Sequence, residues 1–257
     1  MTRVVAVANQ KGGVGKTTTA VNVAAALARA GSKVLVVDLD PQGNASTALG
    51  AVREDDTLGL YEVLVGEASL EEIIQECPDV SGLFSAPSTV DLAGAEIEIV
   101  ADERREYILR EALEPVVSQA KFDYVFIDCP PSLGLLTLNA LVAAREVLLP
   151  IQCEYYALEG LSQLLKTVDL VKSHLNPDLQ VSAIVLTMYD GRTRLASQVV
   201  EEVRTHFGAT VLDTIIPRAV RVSEAPSHAQ TIITYDPTSS GAIAYREAAA
   251  QFAHVGR

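Results

Sequence analysis

With 257 residues, 49% of them hydrophobic and only 5% aromatic, the chain can bury a large core packed mainly by aliphatic side chains. Its three cysteines, Cys77, Cys129 and Cys153, are far apart and form no C-x-x-C pair, which argues against a disulfide framework or a Cys-rich zinc site and fits a reducing compartment. The net charge of −13 speaks against nucleic-acid binding in bulk, and no run reaches a signal-peptide core or the ~20 apolar residues of a membrane span, so a soluble cytoplasmic protein is expected.

The first element is Val4–Ala8, a short β-branched apolar run suited to a buried parallel strand. Asn9 to Thr19 then reads NQKGGVGKTTT. A phosphate-binding loop of the form G-x-x-x-x-G-K-[ST] wraps phosphates in backbone N–H groups, its lysine reaches the β/γ-phosphates and its hydroxyl ligates Mg²⁺. Gly15, Lys16 and Thr17 fit that form, whereas Gln10 stands where the first glycine belongs and a second lysine, Lys11, precedes Gly12, Gly13 and Val14. The extra cation implies more phosphate charge than one subunit's own loop handles. An Ala-rich helix over Thr17–Ala30, ending at Gly31, completes the strand–loop–helix unit that aims a helix N-terminus at an anion.

The next strand, Lys33–Val37, runs into Asp38-Leu-Asp-Pro-Gln-Gly-Asn44. Asp38 at the strand end can support Mg²⁺ and Asp40 in the loop can approach a γ-phosphate, with Pro41 and Gly43 marking a candidate switch. Residues 51–120 carry four basic and seventeen acidic groups, so this segment alone accounts for a charge of −13. Its part from 51 to 103 is the least regular stretch of the chain and is expected to pack on one side of the sheet, with a capping box at Ser69–Glu72 and a strand at Leu83–Ala86; a helix over Arg104–Ser118 follows. Tyr124–Ile127 is another apolar strand, and the acid that ends it, Asp128, is a second candidate for the magnesium shell. Cys129 directly after it is read as a packing residue rather than a nucleophile. Strands at Val147–Ile151, Val181–Leu186 and Thr210–Ile215 alternate with helices over Leu158–His174 and Ser197–Phe207, and a last helix spans Ser239–Phe252.

This alternation predicts an α/β fold: a mostly parallel twisted β-sheet flanked by helices on both faces, with ligands at the strand C-terminal ends and residues 1–257 forming one domain around the P-loop. After position 180 all seven basic residues are arginine, the better residue for gripping phosphate. Composition leaves two readings of them open, an arginine face and a scattered solvated surface.

KGGVGKTT at 11–18, VVDLDPQGNAS at 36–46, FIDCPPSLG at 126–134 and IPRAVRVSEAPS at 216–227 together resemble the ParA/Soj chromosome- and plasmid-partitioning ATPases, which carry a deviant Walker loop. The motifs run nearly end to end in family order. Because the sequence begins at the first strand, it looks like the small type without an N-terminal helix-turn-helix domain, so sequence-specific operator binding is not expected. The resemblance implies an ATP- and Mg²⁺-dependent homodimer in which Lys11 crosses to the opposite subunit's nucleotide. Lys16 would neutralise the β/γ-phosphates, Thr17 ligate the metal, Thr18 contact the α-phosphate and Asp40 position the attacking water, with Asp38 and Asp128 supporting the metal. Gly12 would stay small where the two loops meet, and Pro217 would line the adenine pocket. The resemblance also implies non-specific double-stranded DNA binding by arginines of the last third, with Arg192 and Arg221 matching best and Arg218 and Arg194 secondary, and hydrolysis stimulated by a ParB-like centromere-binding protein. A MinD-like membrane-cycling ATPase is the nearest alternative. However, the tail AIAYREAAAQFAHVGR has only Arg246 and Arg257 as fixed cations and reads as a packed helix rather than a membrane anchor. A metabolic synthetase or an iron–sulfur ATPase of the same loop class is a further one; the three cysteines do not match the cluster motifs of the latter, and no carboxylate-substrate site is located for the former.

Overall fold

The computed structural model describes residues 1–52, 57–155 and 157–255; the side chains of residues 157–160 lie outside this description, as does Arg257. Among the described residues one sheet has eight strands: β1 (Arg3–Val7), β2 (Val34–Asp38), β3 (Gln75–Glu76), β4 (Leu83–Ala86), β5 (Tyr124–Asp128), β6 (Glu146–Gln152), β7 (Gln180–Tyr189) and β8 (Val211–Pro217). They lie in the order β3-β4-β2-β5-β1-β6-β7-β8. Every pairing is parallel except the short β3–β4 edge.

The strands form where β-branched runs are buried on both faces, and their side chains alternate between two cores. Val4 and Ala6 of β1 join one apolar cluster, and Val5 and Val7 join the other. One face is covered by the helices Lys16–Arg29, Asn44–Ala48, Ile232–Tyr235 and Ser240–His254. The other carries Leu60–Leu64, Leu70–Ile73, Leu92–Ile99, Ile108–Ser118, Leu135–Ala143, Ala157–His174 and Arg194–Phe207. The mostly parallel sheet with helices on both faces is therefore the expected fold. The acidic segment lies only partly on one side of it: its helices cover one face, but it also supplies β3 and β4 and sends Cys77, Val80 and Leu83 into the core of the other.

Most element boundaries differ from expectation by one to three residues. Larger differences have local causes. The helix expected from Arg104 starts at Ile108, because Asp102 accepts the Arg104 N–H in a turn at 2.6 Å. The helix Leu135–Ala143 has no counterpart in the sequence reading; its residues LLTLNALVA are apolar almost all round and give no helical stripe. Short helices at Leu60–Leu64 and Leu92–Ile99 lend the acidic segment more order than expected. The capping box at Ser69 forms as anticipated, with the Ser69 N–H donating to Glu72 at 2.7 Å.

The last helix is capped by the Ser239 hydroxyl, which accepts from the Ala242 N–H at 3.2 Å. It packs against Lys16–Arg29 and β8, burying Tyr245, Ala248 and Phe252. Arg3 ties this end together: its guanidinium donates to both Glu146 oxygens at 2.7 Å and to the Phe252 carbonyl at 3.2 Å. Among the described residues no helix is long and apolar enough to cross a membrane.

Candidate functional site

The site lies at the C-terminal ends of the strands, centred on β1, where the strand order turns back and a crevice forms. Between β1 and the helix Lys16–Arg29 the chain makes a tight loop. Gly13 at φ 73° and Gly15 at φ 88° occupy left-handed backbone, which accounts for glycine at both. Long-range hydrogen bonds brace the loop. The Asn9 amide donates to the Pro150 carbonyl at 2.8 Å while its oxygen accepts the Lys11 N–H at 3.0 Å. From β7 the Thr187 hydroxyl donates to the Val14 carbonyl at 2.8 Å. Asn22 links the Thr18 carbonyl, at 2.7 Å, to the Ile232 N–H, at 2.8 Å, fixing the 231–232 segment against the start of the helix.

Gly12 differs from its neighbours. It is exposed, its φ is not positive, and a Cβ placed on it meets nothing within 4 Å. Nothing among the described residues requires glycine there.

Lys16 is only 7% exposed, and its ammonium donates back to the Lys11 carbonyl at 3.2 Å. Burial lowers its pKa, opposed only in part by Asp128, Cys129 and Asp40. Facing it, the parallel register of β2 and β5 sets Asp38 beside Asp128. Both are fully buried, and each is pushed above the ordinary carboxylate range chiefly by desolvation, Asp38 to about 6. The two acids nonetheless differ. One Asp38 oxygen accepts from the Ser46 N–H at 2.7 Å and the Ser46 hydroxyl at 2.6 Å, and Ser46 in turn accepts the Ser88 N–H at 3.0 Å. Its carboxylate thus braces the loop that carries Asp40. Neither Asp128 oxygen has a hydrogen-bond partner among the described residues; the Thr17 hydroxyl faces it without completing one of good geometry. Asp40 is 8% exposed, and its Oδ1 accepts the Gln42 N–H at 3.0 Å.

The site therefore holds a buried ammonium from the start of the helix Lys16–Arg29 and a buried carboxylate from the end of β5, neither of which has a full set of partners among the described residues. Such groups are costly unless a ligand completes them. A polyphosphate matches Lys16 and the backbone N–H groups, and a divalent cation with oxygen ligands matches Asp128 and Thr17. Cys129 is fully buried, and burial raises its thiol pKa, so packing is its role.

The candidate arginines stand at the same end of the sheet, on the turns leaving β7 and β8. The Arg218 N–H donates to the Tyr189 carbonyl at 2.9 Å, and Pro217 pairs with Tyr189 in register, so these two exits adjoin. Arg192, with its side chain 87% exposed, chelates Asp190 at 2.6 and 2.8 Å and holds that acid down at about 2. Arg218 lies beside the same acid. Arg221 sits apart on the helix Val220–Glu224, near Glu224, Asp236 and the Tyr235 ring. Arg194 is exposed at the start of the helix Arg194–Phe207.

Glu154, a residue with no motif around it, was not anticipated. It follows β6 and sets its carboxylate between Lys11 Nζ, at 3.5 Å, and an Arg218 nitrogen, at 3.4 Å. Asn9, Ser46 and Thr187 were likewise missed. Their partners lie up to 173 positions away, beyond the reach of sequence patterns.

The chain is similar to known proteins along most of its length. A family model described as an AAA domain matches residues 2–181. The sporulation initiation inhibitor protein Soj of Bacillus subtilis (strain 168) is 54% identical over 256 residues, spanning 100% of both chains. The chromosome partitioning protein ParA of Myxococcus xanthus (strain DK1622) is 54% identical over 95% of this chain and 85% of its own. A solved structure of cobyrinic acid a,c-diamide synthase from Mycobacterium smegmatis with bound ADP and magnesium superposes with a TM-score of 0.84, at 41% identity over 97% of this chain and 93% of that one. With a family match over most of its length, close relatives end to end and a phosphate loop of the expected form, the chain belongs to the ParA/Soj family of chromosome-partitioning ATPases.

Proposed function

We propose that this chain, as one ATPase domain, binds ATP with Mg²⁺ and dimerises through the bound nucleotide. In that state it binds double-stranded DNA without sequence preference, working in the cytoplasm on the nucleoid to segregate a chromosome or plasmid. A ParB-like centromere-binding protein stimulates hydrolysis. The observation that carries the ATP reading is the incompletely partnered buried pair, Lys16 and Asp128, at the mouth of a glycine loop.

The roles follow from position. Backbone N–H groups from Gly12 to Thr18 cradle phosphates and Lys16 offsets β/γ-phosphate charge. Thr17 and Asp128 hold the Mg²⁺, with Asp38 bracing the adjoining loop through Ser46. When bound, the cation offsets charge on the phosphate oxygens. Asp40 orients the attacking water, and Pro217 borders the base. The partial exposure of Lys11 beyond the loop, and a glycine at position 12 that nothing among the described residues requires, support a second subunit docking at this face.

For Asp40→Ala, ATP turnover falls about a hundredfold or more while the ATP dimer persists on DNA. Wild-type turnover in a single-turnover assay contradicts this role.

The arginine turns at the same end of the sheet support DNA binding by a two-fold dimer, in which every contact occurs twice. The acidic segment from 51 to 120 then faces away. The double substitution Arg192→Glu with Arg221→Glu is expected to abolish DNA binding by electrophoretic mobility shift while ATP-dependent dimerisation persists. In the unmodified protein, affinity should fall steeply with salt. Salt-sensitive binding retained by the double variant places the surface elsewhere. The synthetase relative at 41% identity raises a rival reading, but the curated partition relatives are more similar and span the chain equally.

A further inference from the structure

The carboxylate of Glu154 stands between two cations that the proposed function sends to different phosphates. Lys11 would reach a partner's nucleotide and Arg218 would reach DNA. Glu154 Oε2 lies 3.5 Å from Lys11 Nζ, and Oε1 accepts from Arg218 at 3.4 Å. A third contact holds it there: the Gln152 side-chain amide donates to the same Oε1 at 2.6 Å. The backbone is equally fixed, since the Glu154 N–H donates to the Gln152 carbonyl at 2.8 Å and the Cys153 N–H to the Thr187 carbonyl at 3.1 Å. A carboxylate placed in this way occupies the position of an anion for both cations.

We infer that Glu154 is an internal counter-ion that competes with nucleotide phosphate for Lys11, and so sets the threshold at which ATP converts monomer to dimer. Its second oxygen keeps Arg218 in the same withheld state.

The geometry suits a releasable contact rather than a permanent brace. The pairs are long, and the side chains of Lys11, Glu154 and Arg218 are 35%, 45% and 56% exposed. The structural pair Arg3–Glu146 is the opposite case, at 2.7 Å with exposures of 20% and 11%. Half-solvated pairs contribute little each and are screened by salt, so a triphosphate of higher charge displaces the carboxylate. Glu154 is thus a positioning residue for Lys11, and it slows premature association while the loop holds no γ-phosphate.

The inference rests on the nucleotide-dependent dimer proposed above, and the test separates the two. Dimerisation is measured in the absence of DNA, by sedimentation against protein concentration in saturating ATP and Mg²⁺. Wild type, Glu154→Gln and, as a net-charge control, Glu247→Gln on the last helix are compared. Glu154→Gln is expected to dimerise at about a threefold lower concentration, a shift of ~0.7 kcal/mol. Raising the salt should narrow that gap, and Glu247→Gln should follow wild type. A merely structural role for Glu154 gives no gain in association. Unchanged or weaker dimerisation of Glu154→Gln beside a dimerising wild type overturns the competitor role alone. A wild type that stays monomeric in ATP overturns the dimer reading, and the competitor role falls with it.

Discussion

Lys16→Ala is expected to weaken ATP binding by at least about a hundredfold, the loss of roughly 3 kcal/mol of charge-assisted hydrogen bonding in a buried site. The lysine is 7% exposed, its pKa is lowered by burial, and the Lys11 carbonyl is its one hydrogen-bond acceptor among the described residues. An ammonium held in that condition gains far more from a phosphate than a solvated lysine does, because its desolvation has already occurred. The same reasoning predicts a dissociation between binding and folding. Removing a buried, incompletely paired charge costs little, so the nucleotide-free variant should unfold at close to the wild-type temperature. Fluorescent-nucleotide titration and thermal unfolding check the two halves. Normal ATP affinity contradicts the loop assignment, and a collapse of the nucleotide-free fold contradicts the view that Lys16 waits for a ligand.

For Lys11→Ala the expected loss falls elsewhere. Its backbone N–H is fixed by Asn9, but its ammonium points away from the loop toward Glu154. Own-site ATP binding should therefore survive. In the proposed dimer each Lys11 meets a phosphate in a desolvated interface, where such a contact is worth about 2–5 kcal/mol and occurs twice. Dimer affinity should fall by about a thousandfold or more, and DNA binding, which needs paired arginine faces, should fail with it. Taken together, the two lysine substitutions separate occupancy of the site from its consequence.

The parts of this structure that were legible in the sequence are those written locally. Val4–Ala8, Lys33–Val37 and Tyr124–Ile127 are short β-branched runs, and burial on both faces of a parallel sheet demands such runs, so β1, β2 and β5 were found within a residue or so. The loop was legible because left-handed backbone at Gly13 and Gly15 restricts the residue choice so strongly. The helix Leu135–Ala143 escaped because an element apolar on every side has no stripe to read. The different surroundings of Asp38 and Asp128 were not legible either. Both are acids ending apolar strands, and the hydrogen bonds from Ser46 and Asp40 to Asp38 are what tell it apart from Asp128, which has none among the described residues. Glu154 lies outside every motif, and its meaning arises only when β6, the phosphate loop and the turn after β8 converge.

In the proposed function, Lys11 turns ATP occupancy into a dimer. Molecular mass measured by light scattering, with and without ATP and Mg²⁺, for wild type and Lys11→Ala tests it most directly. Wild type is expected to double its mass only with ATP, while Lys11→Ala binds ATP yet keeps the monomer mass. A Lys11→Ala protein that doubles its mass with ATP as readily as wild type contradicts it.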